Sequence, residues 1–282
     1  MDCNTINIKQ QQLAKGFFQV GTGDEKILIL GSCRVAPYVD YFNQYNELTG
    51  NRFTIFSIDP FNWSWDANDN RIDREAKITA MESDPFLLNM LSSVDYFIHE
   101  YYSNFGMFNC SKESEKNIYQ FGMNPKIDVT LPNFNDFFIL FGDIVQFDTA
   151  IRKMAVQDYN VIGKLSVETI DAVLKVRDAS LQKFYDVCRK SSIPELEQYF
   201  KENDAYKLIR FFWNFNHVTK EFTCYLFKMM NDKFFGFDIS NEFYEHIYQH
   251  DMFANNYTYL TEYDTANGFQ WPEEVKQLRE KL

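Results

Sequence analysis

The feature that most constrains the fold is a short apolar run, residues 27–30, that ends in the sequence Gly-Ser-Cys-Arg and leads into a helical pattern. A continuous apolar run of this length is typical of a strand buried on both faces of a parallel sheet. Aromatic side chains then recur at helical spacing, at Tyr38, Tyr41, Phe42 and Tyr45. The stretch therefore predicts a strand, a tight turn and a helix in immediate succession.

The same alternation continues through the first half of the chain. Residues 52–59 and 94–100 are predicted as a second and a third strand, with a helix over about residues 71–90 between them, and residues 136–141 are predicted as a fourth strand. Alternating strands and helices indicate a parallel sheet with helices on both faces. The predicted fold class is thus α/β, a three-layer parallel sheet, with a helical C-terminal half that begins near residue 160.

The chain is predicted to divide into three parts. Residues 1–24 are expected to form a peripheral N-terminal segment, residues 25–235 the α/β domain, and residues 236–282 a helical and aromatic extension.

Composition excludes several classes of protein. The five cysteines are odd in number and contain no CxxC pair, which argues against a disulfide framework and a structural zinc site and favours reduced thiols in the cytoplasm. No apolar stretch reaches the length of about eighteen residues that a membrane span needs, and no signal peptide is recognised. A net charge of −12 disfavours non-specific binding to nucleic acid.

Cys33 is the predicted nucleophile. In an open α/β sheet, ligands bind outside the carboxyl ends of the strands, so the loops after the first and third strands are expected to lie at one edge. A thiol just before a helix feels the positive end of the helix dipole, which favours the thiolate, and free backbone N–H groups there can hold an oxyanion. The alternative is that Cys33 is a small buried residue, as free cysteines often are.

His217 is the predicted general base. It follows Asn216 near the start of a helical pattern, where an imidazole can reach across a cleft to activate a thiol. The alternative is that His217 caps its helix. In the loop after the third strand, Glu100 and Asn104 are candidates to orient a histidine or contact substrate, whereas His99 is either part of that site or a polar residue satisfied at a strand end.

No metal site is predicted. His246 and His250 are four residues apart, a spacing that suits a metal on one helical face, but a solvated helix face is the preferred interpretation because the HExxH pattern is absent.

The sequence around the turn, "LGSCRV", resembles the nucleophile block of SGNH-type folds with cysteine in place of serine. It resembles more closely the "GNCQ"-like start of WcbI-type polysaccharide biosynthesis acetyltransferases. Three later blocks fall in the order of that family, at residues 94–102, 129–142 and 205–236. The resemblance covers about residues 26–235.

This resemblance implies an SGNH/flavodoxin-like catalytic domain, a catalytic pair of Cys33 and His217, and coenzyme A or acyl-CoA as co-substrate. It also implies oxyanion, substrate or cofactor contacts from nearby positions, which are Gly31, Ser32, Arg34, Glu100, Asn104 and Asn216. The chain departs from the pattern at Ser32 in place of Asn, Arg34 and Glu100 in place of Gln, and Val218 in place of Pro. Arg34, a cation beside the thiol, is expected to lower the pH at which Cys33 ionises and to hold a phosphate or carboxylate.

The expected function is transfer of an acyl group from acyl-CoA to a saccharide hydroxyl, with a small-molecule donor and a saccharide acceptor as partners. Two alternatives stay open. One is a thiol-dependent esterase or hydrolase. The other is a non-catalytic glycan-binding or protein-binding module on the same scaffold, which would use aromatic stretches such as residues 62–66 and 101–109.

Overall fold

The structure is a computed structural model of the 282-residue chain. It describes residues 11–14, 16–31, 33–59, 79, 82–100, 118–132, 182, 185–202 and 220–250. The chain divides into two compact units, Met1–Leu131 with Phe227–Met252 and Pro132–Leu226 with Phe253–Leu282.

A mixed six-stranded sheet forms the centre of the first unit, and the protein belongs to the α/β class. Its strand order is β1-β2-β4-β3-β5-β6. The strands are β1 (Gln11–Ala14), β2 (Phe17–Val20), β3 (Glu25–Leu30), β4 (Phe53–Ile58), β5 (Tyr96–Glu100) and β6 (Ile127–Leu131).

The prediction of a wholly parallel sheet is wrong at one edge. Strands β4, β3, β5 and β6 are parallel to one another, but β1 and β2 form an antiparallel hairpin, and β2 runs antiparallel to β4. The hairpin turns at Gly16, whose φ of 66° lies in the left-handed region that glycine enters without a steric penalty. The predicted strands at 27–30, 52–59 and 94–100 are confirmed as β3, β4 and β5. The predicted strand at 136–141 lies outside the described residues.

Five α-helices are described. They are α1 (Ala36–Leu48), α2 (Pro85–Ser92), α3 (Leu196–Glu202), α4 (Lys220–Met230) and α5 (Asn241–His250). Short 3₁₀ turns occupy Cys33–Val35 and Ile118–Phe121, α4 continues into a π-helical turn at Asn231–Phe235, and residues 185–190 are helical. Within this described part of the chain, none of the helices has the length and apolar character needed to cross a membrane.

The helix predicted over residues 71–90 is interrupted at Asp84. This residue has extended backbone angles, and its carboxylate accepts hydrogen bonds from the backbone N–H groups of Phe86 and Leu87. Pro85 occupies the first turn of α2, and a proline disfavours helical geometry in the residue before it. A new helix therefore begins at Pro85.

One face of the sheet packs against α2. By the alternation of side chains along a strand, Leu28, Leu30 and Phe56 lie on this face. Leu87 and Leu91 of α2 belong to the same buried cluster as these strand residues.

The other face carries the aromatic core. The ring of Phe42 in α1 lies 6.4 Å from that of Phe53 in β4 and 5.1 Å from that of Phe227 in α4. Phe237 lies 5.2 Å from Phe53 and 5.7 Å from Tyr96. Many of the described aromatic residues thus form a core in edge-to-face and stacked geometry rather than an exposed surface.

In the second unit, described contacts join α3 to the first part of α4 and to residues 185–190. The rings of Tyr199 and Tyr225 stack at 4.1 Å between centroids. Glu197 accepts from Arg189 and Lys201, both at 2.7 Å.

An ion pair marks the amino ends of the parallel strands. Arg52 donates to both carboxylate oxygens of Glu25, from Nε at 2.6 Å and from Nη2 at 3.0 Å, and Tyr96 donates its hydroxyl to the same carboxylate. The Arg52 guanidinium holds the pKa of Glu25 below its ordinary value of 4.5, against the opposing effect of partial burial.

Replacing Phe42 with alanine should lower the free energy of unfolding by about 3–5 kcal/mol, because it empties a fully buried ring site. Leu48→Ala in the same helix removes a side chain that is 69% exposed and should change the free energy of unfolding by about 0.5 kcal/mol or less. Urea unfolding followed by circular dichroism measures both, and equal losses would contradict this account of the core.

The Glu25 pair predicts a pH dependence of stability. Because the pKa of Glu25 is lowered in the folded state, its stabilisation is present above pH 4.5 and is lost as the pH falls through the lowered value. The difference in unfolding free energy between wild type and Arg52→Gln should therefore shrink between about pH 6 and pH 3. Lys228→Gln is the control, since the described contact of Lys228 is the ring of Tyr244, and its effect should not vary in this way.

Candidate functional site

The candidate site lies at the carboxyl ends of β3 and β5. The chain leaves β3 for its neighbour β4 on one side, and it then crosses from β4 to β5 on the other side of β3. In open α/β sheets this reversal of direction marks the crevice where ligands bind. Because β3 and β5 are parallel, their carboxyl ends lie at one edge of the sheet, and the predicted loop after β5 lies outside the described residues.

The turn that contains Cys33 runs directly into α1. The 3₁₀ turn Cys33–Val35 is followed without a break by the helix, and Pro37 stands in its first turn as predicted. Val35 occupies the N-cap position with helical backbone angles and, among the described residues, makes no side-chain capping hydrogen bond. The backbone of Cys33 therefore sits at the amino end of a thirteen-residue helix, where N–H groups and the helix dipole favour negative charge.

Next to Cys33, Arg34 forms a buried ion pair with Glu100. Arg34 donates from Nε to Oε1 at 2.6 Å and from Nη2 to Oε2 at 3.2 Å. The two side chains are only 5% and 3% exposed. The pair joins the turn after β3 to the last residue of β5.

Gly31 leaves room for this pair. A Cβ atom at this position would lie 3.0 Å from Oε2 of Glu100 and 2.5 Å from Cγ1 of Val35. The Gly31 N–H also donates to the carbonyl of Ile58 at 3.1 Å, which continues the β3–β4 ladder by one residue. Because glycine has no Cβ atom, the backbone of Gly31 can lie close to the Glu100 carboxylate.

His99 is held on the opposite face of the sheet from Glu100. Its Nε2 lies 3.0 Å from Oδ1 of Asp128 and 3.2 Å from Oγ1 of Thr130, both on β6. Tyr119 donates its hydroxyl to Asp128, and the imidazole ring stacks on Phe97 at 4.5 Å. Of the two interpretations of His99, the structure corresponds to the polar residue satisfied at a strand end.

The structure brings together Gly31, Arg34 and Glu100 around the backbone of Cys33. Four further predicted site residues, Ser32, Asn104, Asn216 and His217, lie outside the described residues. The pairing of Cys33 with His217 therefore stays a prediction. Sequence reasoning missed the Arg34–Glu100 contact, because the partners are 66 residues apart and nothing in the local pattern links them.

The two thiols whose side chains the structure describes are poor candidates for nucleophiles. Neither Cys188 nor Cys224 takes part in a disulfide, and both are buried. Burial raises the pKa of the Cys188 thiol, which keeps it protonated and inert at neutral pH. The described residues contain no group of three or more His, Cys, Asp and Glu side chains placed to hold a metal ion.

No protein-family model, no curated protein and no solved structure matches the chain. The arguments about function that follow depend on the residues and their geometry.

The two Arg–Glu pairs of the sheet should differ in their contribution to the free energy of unfolding. Glu100→Gln removes the charge of a buried carboxylate that accepts two hydrogen bonds from Arg34, and it should lower the free energy of unfolding by about 3 kcal/mol or more. Glu25→Gln is the matched control, since the Arg52 and Glu25 side chains are 38% and 30% exposed, and it should cost about 1 kcal/mol or less. Equal losses in urea unfolding at pH 7 would contradict the burial of the Arg34 pair.

Proposed function

We propose that this protein is an acyltransferase that moves an acyl group from acyl-CoA to a saccharide hydroxyl, with Cys33 as nucleophile and His217 as general base. The observation that carries the proposal is the position of the Cys33 backbone. It lies where the first parallel strand ends, at the topological switch point of the sheet and at the amino end of α1. A nucleophile and an oxyanion site both suit this position.

In the proposed reaction, His217 takes the proton from the Cys33 thiol, and the thiolate attacks the thioester carbonyl of acyl-CoA. His217 gives that proton to the departing sulfur, so coenzyme A leaves as its thiol, the acyl group stays on Cys33 as a thioester, and His217 is neutral again. His217 then takes the proton of a saccharide hydroxyl, whose oxygen attacks the new thioester and restores the Cys33 sulfur. Backbone N–H groups at the start of α1 stabilise the oxyanion in both steps. Direct transfer without the covalent intermediate would use the same residues.

The proposed fold relationship is SGNH/flavodoxin-like, with the three-layer arrangement of such proteins. Numbered along the chain, the four parallel strands stand in the order second, first, third, fourth, because β4, β3, β5 and β6 are neighbours in that sequence. This is the beginning of the flavodoxin-like order, in which the ligand binds at the switch point beside the first strand.

Kinship with the WcbI-type acetyltransferases is likewise part of the proposal. Two positions at which the chain departs from that pattern, Arg34 and Glu100, contact each other as an ion pair. Each change therefore compensates the charge of the other. Departures of this kind are compatible with a retained nucleophile.

Coenzyme A enters the proposal as a co-substrate, and no metal takes part in the proposed steps. The proposed setting is the cytoplasm, since the cysteine pattern favours reduced thiols. The aromatic stretches 62–66 and 101–109, which motivated a non-catalytic binding module, lie outside the described residues.

Incubation with acetyl-CoA should add an acetyl group to Cys33, detected by intact mass and located by peptide mass spectrometry. Cys33→Ala should abolish the adduct, and His217→Gln should slow its formation by about 100-fold or more, because a general base contributes about that factor. Cys3→Ser is the matched thiol control and should retain the adduct.

The fate of the adduct separates the candidate functions. An adduct that persists in buffer and disappears when a saccharide is added would support the transferase. Rapid release of free acid and coenzyme A without an acceptor would contradict transfer and indicate a hydrolase. Wild-type protein that gives neither adduct nor turnover with acyl-CoA would contradict both enzymes.

A further inference from the structure

A group of partly exposed side chains lies at the carboxyl end of β4. This strand is buried at every position except Ser57, and Asp59, just after the strand, is also partly exposed. On the neighbouring strand β2, Phe18 is partly exposed, whereas Phe17 and Val20 are buried. Solvent therefore reaches the sheet at these three positions, which are Phe18, Ser57 and Asp59.

The three residues lie next to one another on one face of the sheet. Phe18 is directly opposite Ser57 in the antiparallel register of β2 and β4. Asp59 continues this pairing, because its N–H donates to the carbonyl of Gly16 at 2.8 Å. Opposite Cβ atoms in such a pair are about 4.5–5.5 Å apart, and diagonal neighbours are about 7–8 Å apart. One ligand of the size of a sugar ring can therefore contact all three side chains, which we call the β2–β4 strip.

The β2–β4 strip is on the face of the sheet that carries α1. Side chains alternate along a strand, so Ser57 is on the same side as Phe53, whose ring lies 6.4 Å from that of Phe42 in α1. Phe56 and Ile58 are on the other side, in the buried cluster that includes residues of α2. The helix α1 thus covers the amino end of β4 and leaves Ser57 partly exposed near the carboxyl end.

The hydroxyl of Ser57 differs from that of Thr54, the other hydroxyl of β4. Thr54 is buried and donates to the carbonyl of Gly23 at 2.6 Å, which is a contact within the fold. Within the described part of the chain, the Ser57 hydroxyl has no hydrogen-bond partner and the Phe18 ring contacts no other ring. Because a hydroxyl group can both donate and accept, Ser57 can bind a polar ligand from this position.

The β2–β4 strip is also next to the turn that contains Cys33. Strands β3 and β4 are parallel neighbours, and the Gly31 N–H donates to the carbonyl of Ile58 at 3.1 Å. The end of β4 therefore lies beside the residue at which the turn begins. In open α/β sheets, ligands bind at this edge.

We propose that Phe18, Ser57 and Asp59 form the subsite for the saccharide acceptor and that they bind it as a neutral sugar ring. The negative face of the Phe18 ring attracts the C–H groups of the sugar. Asp59 accepts charge-assisted hydrogen bonds from sugar hydroxyls, and Ser57 adds a neutral hydrogen bond. This inference rests on the proposed function, to which it adds the location and the charge class of the acceptor.

The carboxylate of Asp59 accounts for the preference for a neutral sugar. It repels sugars that carry a carboxylate or a sulfate. It also disfavours the ribose of coenzyme A, which bears a phosphate next to its free hydroxyl, so the subsite suits the acceptor rather than the donor. A carboxylate has about four lone-pair positions, and Asp59 can therefore bind a sugar hydroxyl while it keeps contacts within the protein.

The test is binding of the protein to an array of neutral, sialylated and sulfated oligosaccharides, with and without acetyl-CoA. Wild type should bind at least one neutral oligosaccharide, and its affinity is then measured by isothermal titration calorimetry. Asp59→Asn should lower this affinity by about tenfold, because a charge-assisted hydrogen bond is lost. Phe18→Ala should lower it by about fivefold and Ser57→Ala by about threefold.

Glu82→Gln and Phe86→Ala are the matched controls. Both residues are exposed and lie just before or in α2, which packs on the opposite face, so affinity should stay within about twofold of wild type. Phe18→Tyr keeps the aromatic ring and should retain binding, which separates stacking from a general loss of structure. If circular dichroism shows that Phe18→Ala does not fold, Ser57→Ala and Asp59→Asn carry the test.

The outcomes separate this inference from the proposed function. Binding of no neutral oligosaccharide, binding of anionic ones alone, or unchanged affinity in the folded strip variants would overturn the inference. Acetylation of Cys33, with equal rates of transfer to a saccharide in wild type and Asp59→Asn, would also overturn it and leave the acyltransferase proposal standing. Weakened binding in the variants without any acyl adduct would support the subsite, contradict the acyltransferase and favour the glycan-binding module.

Discussion

The bidentate ion pair between Arg34 and Glu100 is the interaction on which the candidate site depends. It connects the turn after β3 to the end of β5, and these are the two strands between which the sheet reverses direction. With both side chains buried, loss of either partner would remove a charge-assisted contact that offsets the cost of burying the other charge. The ion pair therefore holds the turn at Cys33 against β5, in addition to the chain connection to β3. Because α1 begins directly after this turn, the same contact also holds the start of α1 in place.

The aromatic core holds α1, the helix that follows the turn at Cys33, against the sheet. Phe42 of α1 packs on Phe53 of the sheet and on Phe227, so the helix that begins beside Cys33 is held along its length by buried rings. Edge-to-face contacts of this kind add a directional preference to the burial of apolar area. Contacts of this kind involve many of the aromatic residues that the structure describes.

The parts of the fold that could be predicted were those with a strong local pattern. The continuous apolar run of β3 and the helical spacing in α1 were sufficient for both elements. The hairpin β1–β2 was missed because Gln11 and Gln12 give no strand signal, and β6 was missed because Asp128 and Thr130 interrupt its apolar pattern. Both residues proved to be partners of His99. The Arg34–Glu100 pair could not be found from sequence, because a contact between distant segments depends on strand order.

The central claim is that Cys33 and His217 act as one catalytic pair, and an experimental structure of the protein tests it most directly. The measurement is the distance between Sγ of Cys33 and the nearest imidazole nitrogen of His217. The account predicts about 3–4 Å, which is within reach of proton transfer from the thiol. A distance of more than about 8 Å, with no rearrangement on binding of coenzyme A, would contradict it.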